Sequence, residues 1–262
     1  MPSRADTLFK IDFSGTLNSG TLMNRLTDGT SYSLDLAAGT AVGGEMIFDL
    51  TKAPAPAVST VSNDVTTSVA QTNAPSWVKG FLNVQLPALP ANSLPVPSTF
   101  SLQRDLPPAN ATYLTSPVSN QSLGFSFVAP QGSESVIASA QFQDNWDSLT
   151  EQGFGAEFLG LLLSSFTPFF PATPGIPDKF TAADSTGNSG FSFIGFSQDL
   201  TNSTPPLFGL TRDYSVSGNF HTTEATGELI VTPEPSTWVL TLVPLALALM
   251  LRMRRAGLRG IS

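Results

Sequence analysis

Between Leu8 and Ser14 apolar and polar residues alternate, with Phe9, Ile11 and Phe13 falling on one side and Leu8, Lys10, Asp12 and Ser14 on the other. A period of two residues is that of a strand with one buried face. The same pattern, bounded by Gly, Asn, Asp or Pro, predicts strands over Ser31 to Leu36, Glu45 to Leu50, Leu123 to Val128, Ser135 to Phe142, Gly190 to Phe196, Tyr214 to His221 and Glu228 to Val231. Few segments show a 3.6-residue period. The expected fold is therefore all-β, a sandwich or jelly-roll-like antiparallel domain.

Two segments depart from that rhythm. From residue 53 to 117 prolines recur at Pro54, Pro56, Pro87, Pro90, Pro95, Pro97, Pro107, Pro108 and Pro117, and proline cannot donate a ladder hydrogen bond. Trp77, Phe81, Leu82, Val84 and Leu86 make this stretch too apolar for a solvated linker, so long loops wrapped on one domain are expected. The one candidate helix runs from Asp147 to Ser164, with Ser148 and Glu151 spaced as a capping box and Gly153, Gly155 and Gly160 weakening it. Phe166, Phe169 and Phe170 are expected to fill the core beside it.

The chain has 262 residues, ample for a core, and no cysteine, so no disulfide can stabilise it. Charged residues make up only 12%, about half the usual share of a soluble protein, and Ser, Thr, Asn and Gly take their place, as in many secreted β proteins. Of 12 basic and 20 acidic residues, Arg252, Arg254, Arg255 and Arg259 lie at the extreme end; the remainder carries about −12. Such a surface repels phosphate, and a nucleic-acid role is excluded on that ground.

Candidate chemistry is sparse. With no cysteine and His221 as the only histidine, a Ser-His-acid triad would have to use a residue placed opposite Val216, Gly218 and Phe220 on a strand, and a zinc site lacks ligands. Asp184-Ser185-Thr186-Gly187-Asn188-Ser189-Gly190 lacks the acidic spacing of a calcium loop and reads as a turn before a strand. Asp144, Asp147, Glu151 and Glu157 cluster near Trp146. Paired carboxylates there would suit a glycoside hydrolase, and Trp146 would suit sugar stacking in a carbohydrate-binding module. No catalytic residue, cofactor or metal is assigned.

The last thirty residues have a different character. Trp238 to Leu251 is a fourteen-residue apolar run containing six leucines and two valines, with Leu240, Leu242, Leu245, Leu247, Leu249 and Leu251 in it. As a helix it would span about 21 Å, short of a hydrocarbon layer of about 30 Å. Its leucines and valines would gain roughly 2.5 to 5 kcal/mol on insertion, less what Thr241 and Pro244 cost. Basic residues beside a membrane segment stay on the cytoplasmic side, so Arg252, Arg254 and Arg255 are expected inside, with everything before residue 232 outside.

Pro233-Glu234-Pro235-Ser236-Thr237-Trp238, the leucine-rich run and the arginine cluster, in that order, resemble the PEP-CTERM sorting signal of bacterial surface proteins. The resemblance covers about residues 232 to 255. It implies processing near Pro233, Glu234 and Pro235 by an exosortase, a membrane-embedded cysteine transpeptidase, in a Gram-negative cell that makes exopolysaccharide. It implies nothing about the body of the chain.

An exported domain needs an N-terminal signal. Pro2-Ser3-Arg4-Ala5 before Asp6 reads like the end of one, with Met1 a misassigned or internal start. The organisation expected is thus a cleavage remnant over 1–5, an exported β-rich domain over 6–231, and a sorting signal over 232–262 with a transmembrane segment at 238–251. The expected function is that of a non-enzymatic surface or matrix protein, partnered by an exosortase and the membrane, with exopolysaccharide as a further candidate partner.

Overall fold

The computed structural model describes residues 7–61, 64–72, 76–102, 112–113, 118–128, 133–148, 151–170, 174–198 and 210–232. The tail that carries Pro233, Glu234, Pro235, Trp238 and Arg252 lies outside the described residues, as do residues 1–6. Those described form an all-β, antiparallel structure, with no helix among them.

Two long strands make its spine. β1 (Thr7–Arg25) pairs with β14 (Leu210–Val231) from Thr7↔Val231 to Asn24↔Tyr214. Neither runs unbroken. Thr223 is an extra residue between the pairs Ser14↔Glu224 and Gly15↔Thr222, and Asn18 is another between Leu17↔Phe220 and Ser19↔Asn219. A bulge of this kind shifts the side-chain alternation by one. In β1 the buried set is accordingly Phe9, Ile11, Phe13 and Leu17 before Asn18, and Leu22 and Asn24 after it.

The bulges also mark where neighbours change. β3 (Ala41–Asp49) pairs with the first half of β1 and β2 (Ser31–Leu36) with the second. Along β14, β13 (Asn188–Gln198) flanks the first half and β12 (Lys179–Ala183) the second. From the spine the sheet extends one way through β3, β6 (Val78–Val84) and β7 (Thr99–Leu102). It extends the other way through β13, β11 (Glu151–Ser165), β10 (Ser133–Ser148), β9 (Val118–Val128), β5 (Asp64–Thr72) and β4 (Ala57–Val61), with β8 (Thr112–Tyr113) beside β10.

This single sheet folds back on itself. Phe9 of β1 meets Phe125 of β9 edge to face at 5.4 Å between ring centroids, and Phe100 of β7 stacks on Phe193 of β13 at 5.3 Å. Phe180 closes the cluster against Phe9 and Phe125. Burying each such side chain stabilises the fold by roughly 1.5–3 kcal/mol. Gln121, only 2% exposed, ties the halves together: its Oε1 accepts the backbone N–H groups of Trp77 (2.7 Å) and Val78 (3.2 Å) at the start of β6.

Several expectations change. Asp147 to Ser164 is not a helix: Asp147 belongs to β10 and residues 151–165 form β11. Leu159, Leu161 and Leu163 are buried while Phe158, Gly160 and Leu162 face outward, half-buried, and three glycines leave too little helix propensity to oppose that alternation. The segments Tyr214 to His221 and Glu228 to Val231 join in the one strand β14. The proline-rich stretch is only partly loop. β4, β5, β6 and β7 lie within it as members of the same sheet, with β4 and β7 at its ends, where proline is tolerated nearby. Pro87, Pro90, Pro95 and Pro97 do fall in a connection, residues 85–98, which is docked by Leu94 N–H to the Arg25 carbonyl (2.9 Å) and by Asn24 Nδ2 to the Leu94 carbonyl (2.9 Å).

Phe169 and Phe170 pack against Phe125 and Phe180 as expected, because buried Glu134 accepts both their backbone N–H groups (2.6 and 2.9 Å). Phe166 does not join them and is 78% exposed.

Candidate functional site

The two outer surfaces of the folded sheet differ in charge. On one, Lys10 bridges Glu45 (2.6 Å) and Asp12 (3.0 Å), and Lys179 stands opposite Glu228 in the ladder. Hydrogen bonds that the Lys10 ammonium donates first to Glu45 and then to Asp12 hold its pKa above the usual range.

The other surface is nearly free of charge. Its longest cross-strand row runs Thr72, Asn120, Gln141, Phe158, Ser192, Ser217, Thr21 and Asp35, each directly paired with the next. Eight strands at 4.7–4.9 Å make that row about 34 Å long. The adjacent row runs Ala70, Ser122, Ser139, Gly160, Gly190, Asn219 and Ser19. Beyond it, Ser68, Gly124, Ile137 and Leu162 are followed by Thr66, Ser126, Ser135 and Ser164. Asp35, at one end, is the single ionisable side chain in these four rows.

Local bonds order the small polar groups. Asn120 Nδ2 donates to Gln141 Oε1 (3.3 Å), the Ser122 and Ser139 hydroxyls meet at 2.8 Å, and Thr66 Oγ1 donates to Ser126 Oγ (3.2 Å). Serine and threonine hydroxyls and carboxamides can each donate and accept, so the rows offer both functions to a ligand.

Phe158 is the aromatic member of the long row, and glycines make room for its ring. A methyl group at Gly160 would lie 2.9 Å from Phe158 Cζ, and one at Gly190 would lie 3.8 Å from Cε1 and 3.0 Å from Asn219 Oδ1. The ring is therefore laid across the sheet surface rather than standing off it, and it is half-buried. Toward the Asp35 end an open groove of about 510 Å³ is lined by Asn18, Ser19, Thr21, Asp35, Ser217 and Asn219, with Phe191 and Leu36 at its base. That volume is within the range of small-ligand clefts.

The residues singled out from the sequence fare unevenly. Trp146 pairs through its backbone with Tyr113 and Gly153, but its side chain, with those of Asp144, Asp147 and Glu151, lies outside the described residues. Glu157 pairs with buried Phe142 and is thus on the core-facing side of β11. His221 is half-buried between Thr16 and Asn188. Asp184, at a φ of 45°, begins the turn from β12 to β13, where Ser185 Oγ accepts the N–H groups of Ser164 (3.0 Å) and Gly187 (3.1 Å). No group of three metal-ligating side chains occurs among the described residues. The Phe158 surface was hidden in the sequence by the helical reading of its segment, although the alternation of Phe158, Gly160 and Leu162 with three leucines was the signal for it.

The molecule belongs structurally to the all-β class, as one continuous antiparallel sheet. No protein-family model and no curated protein matches the chain. It is similar to a solved structure of the Salmonella SPI-1 type III secretion injectisome secretin InvG at 11% identity and a TM-score of 0.21, over 93% of this chain and 71% of that one. The Salmonella basal-body model of InvG, PrgH and PrgK gives the same identity and TM-score over 93% of this chain and 50% of that one. At these TM-scores the likeness carries neither fold nor function to this chain.

Proposed function

We propose that the β domain is the exported part of a non-enzymatic surface or matrix protein of a Gram-negative bacterium. Its tail is held in the cytoplasmic membrane until an exosortase processes it near Pro233 to Pro235. The observation that carries this reading is where the fold closes. β14 ends at Val231, paired with Thr7 at the start of β1, and the Pro233-Glu234-Pro235 motif begins two residues later. Cleavage there would remove none of the described strand residues and none of the described core side chains, so the described domain would leave the membrane whole. Val231 at the end of β14 is exposed, which suits access by a membrane-embedded enzyme to the chain that follows. A composition low in charge and rich in Ser, Thr, Asn and Gly suits the same destination.

The test is replacement of Glu234 and Pro235 by alanine in the native host, followed by fractionation and mass measurement. Full-length protein retained in the membrane fraction is expected. Release of that variant at the normal size and rate would overturn the role given to the motif.

A further inference from the structure

We infer that the uncharged outer surface centred on Phe158 is a binding face for a neutral polysaccharide chain, lying along the row from Asn120 through Phe158 to Thr21. The charge distribution points to the partner. The domain without its tail carries about −12, yet this row is uncharged until Asp35 at its end. An anionic polymer would be repelled by the domain as a whole. A nucleic acid would find no Lys or Arg in the four rows, and a cationic polymer would find its carboxylates on the opposite surface. A neutral polyol meets neither repulsion nor the cost of stripping water from an ion.

The chemistry of the row fits that partner in two ways. Sugar hydroxyls both donate and accept, and Gln141, Ser192, Ser217 and Thr21 flank Phe158 with groups that do the same. The apolar face of a pyranose needs a flat apolar surface, which the Phe158 ring supplies because Gly160 and Gly190 let it lie down on the sheet. A row about 34 Å long is longer than a monosaccharide needs and suits an extended chain. This inference does not rest on the sorting reading, and the Glu234 and Pro235 replacements should leave it untouched.

Affinity electrophoresis of the full-length chain in gels containing hydroxyethylcellulose, galactomannan or dextran tests it, with alginate as the anionic comparison. Retardation by at least one neutral polymer is expected, weakened at least fivefold in Phe158→Ala, retained in Phe158→Trp and unchanged in Phe81→Ala on the charged surface. Circular dichroism checks that Phe158→Ala is folded; should it not be, Ser192→Asp, which places a charge on the same outward row, is expected to weaken retardation equally. Absence of retardation by all three neutral polymers, retardation by alginate alone, or undiminished retardation of folded Phe158→Ala would each overturn the inference. So would a dimer in sedimentation that Phe158→Ala dissociates without any glycan retardation, since the face would then be occupied by a second copy.

Discussion

Gln121 shows how much one polar residue can decide inside a β core. It is buried on β9, yet it accepts two backbone N–H groups from the segment entering β6 and donates Nε2 to Ser119 Oγ (3.0 Å). Replacing it by leucine preserves apolar volume but strands two buried donors, each worth about 1–3 kcal/mol when unsatisfied. Gln121→Leu is expected to lower stability in urea unfolding by roughly 2–4 kcal/mol, and a loss below about 0.5 kcal/mol would show that the clasp is unimportant. Asp49 acts at the surface. Burial opposes its ionisation, but Lys52 and the backbone N–H groups of Thr51 and Lys52 outweigh that and hold its carboxyl below the ordinary 3.8. A depressed folded pKa stabilises fully above the unfolded value and is lost as pH falls through the folded one. Thermal melts taken below pH 3.8 should therefore show a shallower acid decline for Asp49→Asn than for the unaltered chain. Equal slopes would mean that the Lys52 contact does not couple to folding.

At the scale of elements, β1 was legible from its alternation and β11 was not, for a physical reason. Phe9, Ile11 and Phe13 are separated by polar residues, so their period is visible. Leu161, Leu162 and Leu163 form an unbroken apolar run, because the outward face of β11 is itself partly apolar, and such a run carries no period. The structure resolves it: Leu161 and Leu163 are 1% and 0% exposed, whereas Leu162 is half-buried on the outer face. Truncation to alanine should consequently cost about 2–5 kcal/mol at Leu161 and at Leu163, and less than half as much at Leu162. Equal costs at all three positions would contradict the strand. The bulges at Asn18 and Thr223 were invisible for another reason. Each is a mismatch between two strands about two hundred residues apart, and neither strand alone records it.

For the whole molecule, the alternation of apolar and polar residues was enough to determine an antiparallel all-β class, since a period of two buries one face of each strand whatever its partner. Composition determined that packing, not disulfides, stabilises it, and the sequence of motif, apolar run and arginines in the tail suggested the sorting reading. Only the tertiary structure decided that the expected sandwich is one continuous sheet folded over a single core, because strand order depends on contacts between residues far apart in sequence. It also decided that serines, threonines, glycines and Phe158 from many strands align into one uncharged surface. Those residues look like scattered solvent-facing positions along the chain, and cross-strand registry is what gathers them.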